Sequence, residues 1–230
     1  MKTIGLLGGT SWVSTREYYT QLNLGAFERL GGSHSCKLLL HSFDLYEVST
    51  PLMAGEIAPV IRDFAQAARG LETSGADCLL ICANSFHIAL EAVRAAVNVP
   101  VISIVEAVGK ELSQLGVRKA GLLGTFATMD GDFYPEHFSK LGIELITPQG
   151  ESKAEIHRTI AEELTRDLFL DSTRATYVDV IESLRARGAE AVIMGCTEIP
   201  LLLSQEMVGV QLVDTLRCHV AEALKFAFGE

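Results

Sequence analysis

Short apolar, β-rich runs alternate along the chain with longer segments whose apolar residues recur at helical spacing. The pattern predicts strands near residues 3–8, 36–42, 77–82, 100–103, 119–124, 143–146, 190–195 and 210–213. Apolar strands separated by helices specify parallel sheets covered by helices, so the chain reads as an α/β protein. Capping-box spacing marks helix starts at Ser14/Glu17, Ser103/Glu106 and Ser152/Glu155, while Gly75, Gly116, Gly142 and Gly188 fall where helices should end.

The pattern also repeats. Ile4-Gly5-Leu6-Leu7-Gly8-Gly9-Thr10 is similar to Ala120-Gly121-Leu122-Leu123-Gly124-Thr125. Later in each half, Gly75-Ala76-Asp77-Cys78-Leu79-Leu80-Ile81-Cys82 is similar to Gly188-Ala189-Glu190-Ala191-Val192-Ile193-Met194-Gly195-Cys196. The separations agree, 77 residues from Gly5 to Cys82 and 75 from Gly121 to Cys196. An internal duplication is the simplest reading. It predicts two similar, pseudo-symmetric α/β lobes, residues 1–100 and 101–209, with residues 210–230 a candidate to return to the first. No Pro/Ser-rich linker divides them.

In open parallel sheets, ligands bind beyond the carboxyl ends of the strands. Cys82 and Cys196 both fall there, as do Gly8-Gly9-Thr10-Ser11 and Gly124-Thr125. Lobes that face each other would present one thiol from each side of a single inter-lobe cleft. Each cysteine precedes a polar stretch, Asn84-Ser85 or Thr197-Glu198, expected to open a helix whose N-terminus lowers the thiol pKa from about 8.5 toward neutrality. Two acid/base groups on opposite faces of one carbon suit inversion at a stereocentre, where one takes the Cα proton and the other returns one.

These residues carry a resemblance. Gly5-Leu6-Leu7-Gly8-Gly9-Thr10-Ser11-Trp12, Cys82-Ala83-Asn84-Ser85-Phe86-His87 and Gly195-Cys196-Thr197-Glu198-Ile199 together resemble the aspartate/glutamate racemase family, over essentially the whole chain. The resemblance implies an amino-acid racemase that needs no pyridoxal phosphate or other cofactor, acts on a small-molecule amino acid or carboxylate, and forms a homodimer. Met1 to Gly9, with one charge and a short apolar run broken by glycines, reads as a first strand better than as a secretory segment, so a cytoplasmic address is expected. On the racemase reading Cys82 and Cys196 are the two bases, Thr10, Ser11, Asn84, Ser85, Thr125 and Thr197 bind substrate, and Glu198 lies near the second thiol. The sequence departs from the family at Ala83 and Phe86, where Thr and Met are usual, and Ser85 keeps the hydroxyl of the usual Thr. Thr10 and Val13 also stand where the family usually carries Met and Glu. Racemases of acidic amino acids often carry an Arg after the second strand, but no Lys or Arg occurs between Lys37 and Arg62. The substrate is therefore aspartate or glutamate held by other donors, or a broader set of amino acids. A maleate isomerase-like enzyme of the same superfamily and a non-catalytic carboxylate-binding protein are the alternatives.

Composition narrows the picture. Nineteen Lys and Arg against 29 Asp and Glu give a net charge of −10, which argues against nucleic acid as a partner. No apolar stretch approaches the roughly 20 residues that span a bilayer, so no membrane partner is expected. The five cysteines show no C-x-x-C pair and no zinc-ligand spacing; Cys36, Cys78 and Cys218 read as core residues. The Gly8-Gly9 turn lacks the pattern of a dinucleotide loop and the Lys of a P-loop. His87, one turn beyond Cys82, reads as a supporting hydrogen-bonding group.

Overall fold

In the computed structural model, which describes all 230 residues, the chain forms two four-stranded parallel sheets. The first contains β1 (Ile4–Gly8), β2 (Leu38–Ser42), β3 (Cys78–Ile81) and β4 (Val101–Ile102) in the order β2-β1-β3-β4. The second contains β5 (Lys119–Leu123), β6 (Glu144–Ile146), β7 (Ala191–Met194) and β8 (Gln211–Asp214) in the order β6-β5-β7-β8. Adding four to each strand number of the first sheet gives the second, so the duplication read from short sequence matches is a duplication of topology.

Helices α1 (Trp12–Leu30), α2 (Leu45–Met53), α3 (Ile57–Thr73) and α4 (Leu90–Ala96) connect the first four strands, and α5 (Ile104–Gln114) leads to β5. In the second half α6 (Phe126–Met129), α7 (Phe133–Lys140), α8 (Gly150–Glu162), α9 (Asp171–Ala186) and α10 (Ile199–Leu202) do the same, and α11 (Thr215–Phe228) closes the chain. Gly75, Gly116, Gly142 and Gly188 adopt the left-handed conformation at the ends of their helices, as their positions predict.

The central strands β1, β3 and β7 are buried along their whole length, which is why they read as continuous apolar runs. Helix α3 places Val60, Phe64, Ala67, Ala68 and Leu71 on one face, and these pack with Leu7, Leu79 and Ile81 in the core of the first half. Phe64 stacks between Phe43 and Phe86, at centroid distances of 4.5 and 5.2 Å. In the second half α8 and α9 supply Ile156, Ile160, Tyr177, Ile181 and Leu184 to a core with Leu123, Val192 and Met194.

The chain divides into two compact units, Met1–Ile104 with His219–Glu230, and Val105–Cys218. The return to the first unit is shorter than the 210–230 expected. β8 pairs with β7 in register from Ala191↔Gln211 to Met194↔Asp214 and so stays in the second sheet, as β4 stays beside β3 in the first. α11 belongs with the first unit from His219 onward, and there the Lys2 N–H donates to Ala227 O. No helix is long and apolar enough to cross a membrane.

Two of the expected helix starts lie elsewhere. α1 begins two residues before Ser14, at Trp12, and its cap is Ser11, which is in extended conformation and accepts the Ser14 N–H. Ser14 is inside the helix and buried. α8 begins at Gly150 without a side-chain cap, so Ser152 lies within its first turn. Ser103 does directly precede α5.

Candidate active site

In the first unit, the chain leaves β1 through Gly9, whose φ of 76° is left-handed. A Cβ there would lie 2.2 Å from Phe43 O, so both the conformation and the close approach require glycine. Thr15 Oγ1 accepts the Gly9 N–H at 2.8 Å and donates to Ser11 O at 2.9 Å, which fixes the Gly9-Thr10-Ser11 turn onto the start of α1. Thr10 is buried and its Oγ1 has no hydrogen-bond partner, an arrangement that costs stability unless something else uses the group. The Ser11 hydroxyl caps α1.

Cys82 follows β3, and its N–H donates to Leu7 O at 3.0 Å, so it sits beside the end of β1. Ser14 Oγ donates to Cys82 O at 2.8 Å. The thiol itself is fully buried, with only a long 4.0 Å contact to Leu80 O. Asn84 is buried and Ser85 is half-buried in the turn that follows. Thr10, Ser11, Cys82, Asn84 and Ser85 therefore gather around the ends of two adjacent strands. Phe86 points into the core, against Phe64.

In the second unit, the Gly195 N–H donates to Leu123 O at 2.7 Å, bringing Cys196 beside the end of β5 and the Gly124-Thr125 turn. A Cβ on Gly195 would lie 2.5 Å from that same Leu123 oxygen. Cys196, Thr197 and Glu198 are all buried, and Thr125 is half-buried at the start of α6. Cys196 Sγ lies 2.9 Å from Glu198 Oε2, which also accepts the Thr197 hydroxyl at 3.0 Å. Glu198 Oε1 is buried without a hydrogen-bond partner. Thr215 Oγ1 donates to Met194 O at 3.0 Å and anchors the strand end below the cysteine.

The electrostatics contradict one expectation. Burial pushes the Cys82 thiol well above the ordinary cysteine range, and burial with the neighbouring Glu198 carboxylate does the same at Cys196. The polar stretches that were to lower these values do not open long helices. Ser85–Ala89 is a five-residue 3₁₀ segment that runs into the seven-residue α4, and α10 is four residues long. Desolvation outweighs so small a dipole. Cys36, Cys78 and Cys218 are likewise pushed up by burial, to about 11, 12 and 12.

Thr15 and Thr215 support the site with no motif to mark them in the sequence, and Ser14 supports it in a role other than the helix cap its spacing predicts. Thr15 and Thr215 are small hydroxyl residues on buried helix faces, and that is the only signal the sequence offers for them.

Residues 7–223 match the protein family of Asp/Glu/Hydantoin racemases. The chain is 25% identical over 222 residues to a broad-specificity amino-acid racemase of Bacillus subtilis (strain 168), covering 94% of this chain and 93% of that protein. Among solved structures, it is similar to a Yersinia pestis protein provisionally described as an Asp/Glu racemase, with 36% identity, a TM-score of 0.90 and coverage of 99% of this chain and 100% of that one. It is also similar to an aspartate racemase homologue from Pyrococcus horikoshii, with 35% identity, a TM-score of 0.84 and coverage of 99% and 100%.

Proposed function

The chain belongs to the Asp/Glu/hydantoin racemase family, and on that premise we propose that it is a cofactor-independent amino-acid racemase in which Cys82 and Cys196 act on opposite faces of one Cα. The observation that carries this reading is the equivalent placement of the two thiols. Each follows the strand next to the first strand of its own sheet, β3 beside β1 and β7 beside β5. The backbone at each cysteine bonds to the end of that first strand, from which a small-residue turn follows, Gly9-Thr10-Ser11 or Gly124-Thr125.

In one direction the Cys196 thiolate removes the Cα proton and the Cys82 thiol supplies another to the opposite face; in the reverse direction the roles exchange. The electron pair left at Cα is stabilised through the substrate carboxylate, which needs hydrogen-bond donors where negative charge develops. The hydroxyl of Thr10, unpartnered and buried, is suited to that task, together with Ser11, Asn84, Ser85, Thr125 and Thr197. Burial keeps both thiols protonated, so one must first lose its proton. Glu198 Oε2, 2.9 Å from Cys196 Sγ, is the acceptor for it.

The proposed substrates include neutral amino acids beside aspartate and glutamate. The absence of any Lys or Arg between Lys37 and Arg62, which spans β2 and α2, supports this, as does the similarity to a broad-specificity racemase. We further propose a homodimer in a reducing, cytoplasmic setting. The exposed Trp12, Tyr19, Phe27 and Leu30 of α1 support self-association, and five free cysteines suit that compartment.

The test is Cα proton washout by NMR in deuterated buffer, with reductant and without pyridoxal phosphate, over a panel of single-enantiomer amino acids. Loss of the Cα signal is expected for aspartate or glutamate and for at least one neutral member. Retention of the signal by every member would refute the racemase reading and make maleate and related diacids the next ligands.

A further inference from the structure

Two buried histidines of the first unit lie in a chain of hydrogen bonds that begins and ends on α1 and is joined by short backbone steps at Cys82–Ala83 and Ile102–Ile104. Ser14 of α1 donates to Cys82 O at 2.8 Å. The next carbonyl, that of Ala83, pairs with His87 Nδ1 at 2.8 Å. His87 Nε2 pairs with the Ile104 N–H at 3.1 Å. Two residues back, Ile102 O pairs with His219 Nε2 at 2.8 Å, and His219 Nδ1 pairs with the Tyr18 hydroxyl, again on α1, at 2.7 Å.

The partners fix the tautomers. A backbone N–H only donates, so His87 Nε2 is an acceptor and the ring proton sits on Nδ1, donating to Ala83 O. A carbonyl only accepts, so His219 carries its proton on Nε2 and accepts from Tyr18. Burial favours the neutral ring in both, pushing His87 down to about 3 and His219 to about 4. Both residues are essentially inaccessible, and the rings meet edge to face at 5.9 Å.

The path includes both places where the chain changes unit. Ile104 is the last residue before the chain enters the second unit, and His219 is the first after it returns. The two carbonyls of Cys82 and Ala83 are thus held from two sides, by α1 directly and by the β4–α5 junction through His87. At Cys196 the thiol itself is met by Glu198, and Thr215 holds the strand end two residues before it.

We propose that His87 is a positioning residue for Cys82, holding the Ala83 carbonyl so that the thiol keeps its reach to Cα. The inference rests on the reading of Cys82 as one of the two bases. It requires that loss of the Nδ1 donor impair proton transfer at the Cys82 face and leave the Cys196 face unchanged.

The test places His87 substitutions in two single-cysteine parents of the full-length protein, Cys196→Ala and Cys82→Ala. Each parent is assayed for Cα deuterium exchange with both enantiomers of the amino acid that washes out fastest in the wild type. His87→Gln keeps an acceptor near the Nε2 position and loses the donor near Nδ1. His87→Asn keeps an amide donor near Nδ1. In the Cys196→Ala parent, His87→Gln should lower the exchange rate constant at least tenfold with little change in half-saturating concentration, and His87→Asn should restore it to within threefold. In the Cys82→Ala parent both should stay within twofold. Ser14→Ala, which removes the other hold on this backbone, provides an independent variant should His87→Gln fail to fold, and it should lower exchange in the Cys196→Ala parent alone. Equal losses in both parents, or no loss at the Cys82 face, overturn the positioning role while leaving the two-thiol reading intact. Parents that exchange with neither enantiomer overturn that reading, and the role of His87 falls with it.

Discussion

Replacing Glu198 by glutamine separates the two things its carboxylate does. Gln keeps an oxygen to accept from Cys196 and Thr197 but cannot take up a proton. In the wild type a Cys196 thiolate 2.9 Å from an ionised carboxylate would be opposed by about 6 kcal/mol at an effective dielectric near 20. The pair therefore keeps one proton between them, and the proton that leaves sulfur moves to Glu198. A positioned acid/base group contributes about 10²–10⁴ in rate, equivalent to about 3–5 kcal/mol. Glu198→Gln should lower kcat/KM by that factor near pH 7.5, read as loss of circular dichroism from a single enantiomer. The sign of the pH dependence follows from the same charge. Removing the carboxylate relieves the like-charge effect that raises the Cys196 pKa, so the thiol of the variant ionises to solvent more readily. Activity of the variant should recover part of its loss between pH 7.5 and 10, with a steeper rise than the wild type shows. Glu198 Oε1 has no hydrogen bond to lose, so any change in stability should be small beside the loss of activity. A variant within threefold of wild-type activity at pH 7.5, or one whose loss tracks a lower melting temperature, would refute this reasoning.

Three further outcomes follow from packing and burial. Gly195→Ala puts a methyl 2.5 Å from Leu123 O and should cost about 1–3 kcal/mol by urea unfolding, together with activity, because Cys196 is the next residue; wild-type stability would contradict the contact. Phe64→Ala removes the middle ring of the Phe43–Phe64–Phe86 stack and should cost about 3–5 kcal/mol in the same assay; a loss below about 1 kcal/mol would contradict its place in the core. His87 and His219 have folded pKa values of about 3 and 4, below the unfolded value near 6.5, so the unfolded chain binds more protons and stability falls as pH drops. With both neutral in the fold, the slope between pH 6 and pH 4.5 should approach about 2–3 kcal/mol per pH unit, and His87→Gln should remove about half of it; an unchanged slope in that variant would exclude a neutral buried His87.

The strands were legible because those of the sheet centres are buried on both faces and leave unbroken apolar runs such as Cys78-Leu79-Leu80-Ile81. The duplication was legible through the two strand-end cysteines and their helix-ending glycines, which sit at matched positions in the two sheets. Local signals failed where tertiary contacts decide. Ser14 has capping-box spacing, but the left-handed turn at Gly9 starts the helix at Trp12 and turns Ser14 toward the Cys82 carbonyl. The partner of β8 depends on sheet order, which the duplicated β3-β4 pairing already implied. The thiol environment is not legible in the sequence, which shows the residues that follow a cysteine but not how deeply the fold buries it. His219 and Tyr18 are 201 residues apart, and no spacing rule links them to each other or to Cys82.

The central claim is that two thiols serve opposite faces of one carbon, and the single-cysteine variants test it most directly. Cys82→Ala and Cys196→Ala should each abolish racemisation of the amino acid identified by washout, while each still exchanges the Cα proton of one enantiomer, and of opposite ones. A variant that racemises with a single cysteine, or two variants that exchange the same enantiomer, would contradict it.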